Sequence, residues 1–172
     1  RVTVTADGAE ASLADGSVLL VEIARGTLTR VGSDGSVEVV ADCGGGPNGA
    51  AVGPDGRIYI CNNGGFEWHE ASGLLLPGNQ PADYSGGRIQ RVDIETGEVD
   101  DLYTEVNGIG LRGPNDLVFD STGGFWFTDH GKNLAGVEIK IGAVQSRHAA
   151  IALDQAAGSE KGNGFVGFCF LG

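Results

Sequence analysis

Apolar and polar residues alternate along most of this chain in short runs, and most runs end near a glycine. Segments 27–31 and 37–40 read Thr-Leu-Thr-Arg-Val and Val-Glu-Val-Val, while 88–92 and 99–103 read Arg-Ile-Gln-Arg-Val and Val-Asp-Asp-Leu-Tyr. A period of two places alternate side chains on opposite faces of a half-buried strand. Ser33-Asp34-Gly35 and Glu95-Thr96-Gly97 join the two members of each pair, as hairpin turns do. More continuous apolar runs at 18–21 and 58–60 follow Asp15-Gly16 and Asp55-Gly56, which predicts buried strands entered from tight turns. No stretch before Leu134 has a helical period, so the fold class expected is all-β.

These runs recur as larger units. Gly46-Pro47-Asn48-Gly49-Ala50-Ala51-Val52 lies without gaps over Gly113-Pro114-Asn115-Asp116-Leu117-Val118-Phe119, and the match continues through Gly56 and Ile58-Tyr59-Ile60 onto Gly123 and Phe125-Trp126-Phe127. A weaker copy begins at Asp15-Gly16. Gly16 and Gly56 stand 40 residues apart and Gly56 and Gly123 stand 67 apart, so the middle unit carries an insertion, 63–85. That insertion is rich in Gly, Pro and Asn, holds Trp68, His69 and Leu74-Leu75-Leu76, and is expected to be a long loop over one end of the fold. Without its roughly 20 extra residues the unit has the length of about 45 typical of a four-stranded propeller blade. Residues 1–133 therefore predict a partial β-propeller of two and a half to three blades, and 134–172 an irregular, divergent tail. A ring of such blades closes at about six. The open sheet edges left by fewer blades are expected to favour self-association.

Composition narrows the partners. Acidic residues outnumber basic ones, 23 to 11, and the formal charge of −12 repels nucleic-acid phosphates and anionic lipid surfaces. Solvated surface carboxylates account for that acidity as well as a cation site does. Cys43, Cys61 and Cys169 form no CxxC pair, and a reduced, cytoplasmic setting is expected. The apolar runs are far shorter than the roughly 20 residues of a membrane-spanning helix. The sequence opens on Arg1 and shows no signal peptide, which reads as a processed or truncated N-terminus.

Chemistry enters through the motifs in order. Gly45-Gly46-Pro47-Asn48-Gly49, Cys61-Asn62-Asn63-Gly64-Gly65-Phe66, Arg112-Gly113-Pro114-Asn115-Asp116-Leu117-Val118-Phe119-Asp120 and Phe125-Trp126-Phe127-Thr128-Asp129-His130-Gly131 resemble bacterial members of the senescence-marker-protein, gluconolactonase and luciferin-regenerating-enzyme family. The resemblance covers roughly residues 10 to 133. It implies a six-bladed propeller that binds one divalent cation in its tunnel, calcium or else zinc or magnesium, and hydrolyses sugar lactones or related esters. Hard oxygen ligands suit such a cation, which in turn polarises a carbonyl.

Carried onto this sequence, the resemblance makes Asn115 a metal-site asparagine, touching the cation directly or through substrate and water. Glu10 is the candidate second ligand, two residues past the place where the family's first glutamate falls, at Gly8 here. Asn48, Arg112, Asp129 and His130 are the substrate-binding candidates. Pro-Asn-Asp also reads as a plain turn before a strand, Asn48 likewise, and Asp129-His130 as a hydrogen-bonded turn pair. The family's base aspartate has no counterpart, and Asp154 lacks its motif. No nucleophile elbow, phosphate loop, HExxH or EF-hand pattern occurs. A lactone hydrolase is thus the family function expected, its cation site incomplete in this chain because the family's later-blade asparagine and base aspartate have no counterpart, and a non-catalytic propeller fragment or binding module is the alternative.

Overall fold

The computed structural model describes residues 2–5, 8–132, 142–145 and 151–152, with side chains placed over 13–132. Three antiparallel sheets follow one another as blades of a partial propeller. Blade 1 holds β1 (Val2–Thr5), β2 (Gly8–Ser12), β3 (Val18–Glu22), β4 (Thr27–Val31) and β5 (Val37–Asp42), paired in that order. Blade 2 holds β6 (Pro47–Val52), β7 (Ile58–Asn62), β10 (Arg88–Val92) and β11 (Val99–Tyr103), and blade 3 holds β14 (Pro114–Phe119), β15 (Phe125–Asp129), β16 (Gly142–Gln145) and β17 (Ile151–Ala152). Between β7 and β10 the insertion forms a separate hairpin, β8 (Trp68–Ala71) and β9 (Leu74–Pro77). A second small hairpin, β12 (Glu105–Val106) with β13 (Ile109–Gly110), precedes blade 3. Two strands therefore fall inside the stretch 134–172, and the rest of that stretch lies outside the described residues.

Turn chemistry explains why the strands stop where they do. Asp15, Asp34, Asp55, Asp93 and Asp120 each accept the backbone N–H two residues on, at 2.8–3.2 Å, closing an Asx turn. Gly16, Gly56 and Gly123 take φ values of +81°, +77° and +81°, a left-handed conformation that residues with a Cβ avoid.

The core lies in the seams between blades. Leu19, Val21 and Leu28 of blade 1 pack on Ala50, Ile58, Ile60 and Val92 of blade 2. On blade 2's other face, Ala51, Cys61 and Ile89 pack on Leu117, Phe125 and Phe127 of blade 3. The alternation read from the sequence supplies both faces of blade 2 at once. Strands β2, β6 and β14 of successive blades touch in that order, β6 and β14 at the edge of their sheets and β2 flanked by β1. The Pro-Asn ends of β6 and β14 thus come to the same end of the arc.

Candidate functional site

Both Pro-Asn corners are β-bulges. In β6 the ladder steps from the Pro47–Asn62 pair to the Gly49–Cys61 pair, leaving Asn48 outside the register. In β14 it steps from Pro114–Asp129 to Leu117–Phe127, leaving out Asn115 and Asp116. A bulge of this kind bends the strand and re-aims the extra residue. Asn48 and Asn115 are both half-buried, and among the described residues neither side chain has a hydrogen-bond partner. The corners also abut. A Cβ on Gly49 would lie 2.5 Å from the Asn115 carbonyl oxygen and 2.6 Å from the Asp116 carboxylate, so only glycine permits this approach of the two strands.

Behind each corner sits a polar clasp that the repeat also conserves in phase. The Asp129 carboxylate accepts three backbone N–H groups: Arg112 at 2.8 Å, Gly113 at 2.7 Å and Gly131 at 2.8 Å. Asn62 stands at the same place in blade 2, and its Oδ1 accepts from Gly46 and Gly64, each at 2.9 Å. Its Nδ2 donates to the Gly44 carbonyl and Gln90 Oε1, each at 2.8 Å, completing its hydrogen bonds in a fully buried position. Glu22 is the blade 1 counterpart, accepting from Arg25, Thr27 and Thr29; these bonds hold its carboxyl below the usual range, Thr29 foremost. Asn62 was open to detection in the sequence, because it shares the phase of Asp129.

His130 donates its backbone N–H to the Gly113 carbonyl at 2.9 Å, as Asn63 does to Gly46. Arg112 is exposed, and its carbonyl accepts the Tyr84 hydroxyl at 2.6 Å. Arg112, Asp129 and His130 thus gather around the entry to β14, beside Asn115. Glu10 lies on β2 opposite Leu20, the phase that Ala50 holds opposite Ile60, two residues past the corner position. Its side chain lies outside the described residues.

Lys132 has no sequence signal, yet it is the most unusual ionisable group described. It is buried at the seam, with Nζ 3.2 Å from Asn63 Oδ1, bonded also to the Gly65 carbonyl and 3.8 Å above the Phe66 ring. Burial lowers its pKa to about 8, partly opposed by the Asp129 charge. Its contacts tie blade 3 to the start of the insertion, whose end is tied by Tyr84 and by the Gly87 N–H to the Leu111 carbonyl, 2.9 Å. Burial also raises the Cys43 thiol to about 11 and Cys61 well above its ordinary value, so neither is a nucleophile at neutral pH. Among the described residues no group of three His, Cys, Asp or Glu side chains converges as a metal cage.

The family model described as the SMP-30/gluconolactonase/LRE-like region matches residues 5–161. The chain belongs to this family. No curated protein matches it. Among solved structures, a gluconolactonase from Xanthomonas campestris is 20% identical with a TM-score of 0.52, over 76% of this chain and 40% of that one. A structural-genomics gluconolactonase target is 16% identical with a TM-score of 0.56, over 86% of this chain and 48% of that one. These likenesses bear out the propeller fold expected from the repeats. The chain of the family described here spans less than half the length of either structure.

Proposed function

We propose that this chain serves the hydrolysis of sugar lactones or related esters, with a divalent cation, calcium foremost, held by Asn115 and Glu10. The observation that supports this reading is the pair of abutting bulges, which take Asn48 and Asn115 out of their ladders and leave two amide side chains unbonded among the described residues. Side-chain carbonyl oxygens are ligands that calcium accepts, and amides also bind sugar hydroxyls. When bound, the cation supplies polarisation of the lactone carbonyl. Asn48 and the Arg112 guanidinium then hold substrate hydroxyls, with His130 at the rim. Asp129 acts through the corner it clasps, since backbone N–H groups occupy both its oxygens. Cys43 and Cys61, the cysteines among the described residues, are both sequestered and do not compete as nucleophiles.

A second reading, a non-catalytic arc or binding module, draws support from the coverage, under half of each solved relative. Acid release from a simple aldonolactone, followed in a pH-stat with and without calcium, separates the two. Calcium-dependent turnover supports the hydrolase, and its absence at high enzyme concentration supports the module.

A further inference from the structure

Between blade 1, blade 2 and the insertion lies a cavity of 340 Å³, whose walls include Gly45, Phe66, Trp68, Asp83, Ser85 and Arg88 but neither Asn48 nor Asn115. Its volume is near the lower end of the roughly 300–1,000 Å³ of small-molecule sites, which suits a ligand of one ring. The walls are braced from outside. Lys132 Nζ stands 3.8 Å over the Phe66 ring, and Trp68 meets Phe66 edge-on at 6.0 Å with the ring planes at 82°. Arg88 donates from Nη2 to the Cys43 carbonyl at 2.9 Å and pairs through Nε with Asp101 at 3.4 Å, which leaves Nη1 without a partner among the described residues. A Cβ on Gly45, where φ is +54°, would lie 3.1 Å from both Arg88 Nη2 and the Gly64 Cα, so glycine lets the guanidinium settle there. Rings and guanidinium are thus held before a ligand arrives, which lowers the ordering cost of binding.

The lining chemistry selects among ligands. The Asp83 carboxylate and the Ser85 hydroxyl make no hydrogen bond among the described residues. An anion is opposed by Asp83 and a cation by Arg88, whereas a neutral ligand that both donates and accepts hydrogen bonds satisfies the two together. Phe66 and Trp68 add apolar ring surface, which the C–H face of such a ligand covers. A ring with hydroxyls at its rim and C–H groups on its face is a pyranose. We propose that this cavity binds one neutral pyranose ring, packed on Trp68 and hydrogen-bonded by Asp83, Ser85 and Arg88, at a place separate from the asparagine corners. Binding there needs neither a lactone nor a cation and is independent of the hydrolase reading.

Methyl β-D-glucopyranoside, which has no lactone and no charge, tests this with the full 172-residue chain in calcium-free buffer. The sequence holds 2 tryptophans, so Trp126→Phe leaves Trp68 as the single indole, and its fluorescence should change saturably with a Kd of about 1 mM. Saturation-transfer NMR extends the titration to variants that lack Trp68. Trp68→Ala and, independently, Asp83→Asn weaken binding at least tenfold with an unchanged far-ultraviolet β spectrum. Asp83 is exposed and unbonded among the described residues, so its variant keeps the fold and reads the ligand contact alone. Asn115→Ala binds the glucoside as the parent does. No saturation at concentrations about a hundredfold above the expected Kd overturns the proposal. Equal binding in the parent, Trp68→Ala and Asp83→Asn overturns it too, and loss of binding in Asn115→Ala alone moves the sugar to the corner and overturns it equally.

Discussion

Replacing Asp129 tests whether the polar clasp holds the corner that presents Asn115. In Asp129→Ala the N–H groups of Arg112, Gly113 and Gly131 lose their acceptor. Gly113 is buried, so its orphaned donor costs about 1–3 kcal/mol, while water replaces much of what exposed Arg112 and half-buried Gly131 lose. The total is about 3 kcal/mol, a large share of the 5–15 kcal/mol typical of a folded domain. Asp129→Asn is the informative control, because Asn62 already performs the same task in blade 2 with Oδ1 accepting two backbone donors. In that variant Oδ1 keeps Gly113 and Gly131, and only the bond to exposed Arg112 is lost, at a cost of about 1 kcal/mol. Urea unfolding followed by near-ultraviolet circular dichroism measures both, with equal slopes required for the comparison. An alanine variant as stable as the parent, or an asparagine variant as unstable as the alanine one, refutes the clasp.

Three further outcomes follow from the same geometry. Gly49→Ala forces a methyl against the Asn115 carbonyl and Asp116, and should cost about 1–3 kcal/mol with selective chemical-shift changes at 114–117 in amide spectra. Lys132 titrates near 8 when folded against 10.5 when unfolded, so between those values the unfolded chain binds more protons and stability rises with pH. The rise amounts to roughly 3 kcal/mol and vanishes in Lys132→Met, as urea midpoints from pH 7 to 10.5 will show. Leu75→Ser and Leu76→Ser, on the exposed hairpin, should leave thermal stability within about 0.5 kcal/mol of the parent.

Strands and turns were legible because their signals are local. Asp-Gly turns, period-two runs and the 67-residue offset placed β3, β6, β7, β14 and β15 before any coordinates, and the blade pairing followed from the repeat. The hairpin β8–β9 was not, since Leu74-Leu75-Leu76 has no alternation and both its faces are exposed; its turn instead rests on Ser72 and Gly73 at φ +54° and +75°. The clasps were hidden for another reason. Asn62 meets Gly46 and Gly64 only once β6 and β7 pair, although the repeat alone aligned it with Asp129. Lys132 reads as a surface lysine after a turn, and nothing local says that Phe66 and Gly65 from the preceding blade will enclose it. The two asparagine corners were legible as motifs, but that each is a bulge depends on ladder register, which sequence does not display.

Calcium titration by calorimetry of the parent chain beside Asn115→Ala bears most directly on the site itself. Saturable binding in the parent, weakened at least tenfold in Asn115→Ala with folding unchanged, is the result that the bulge geometry predicts. Binding of equal strength in both chains would contradict it, placing the cation away from the corner, and absence of binding in the parent would remove the cation from the account.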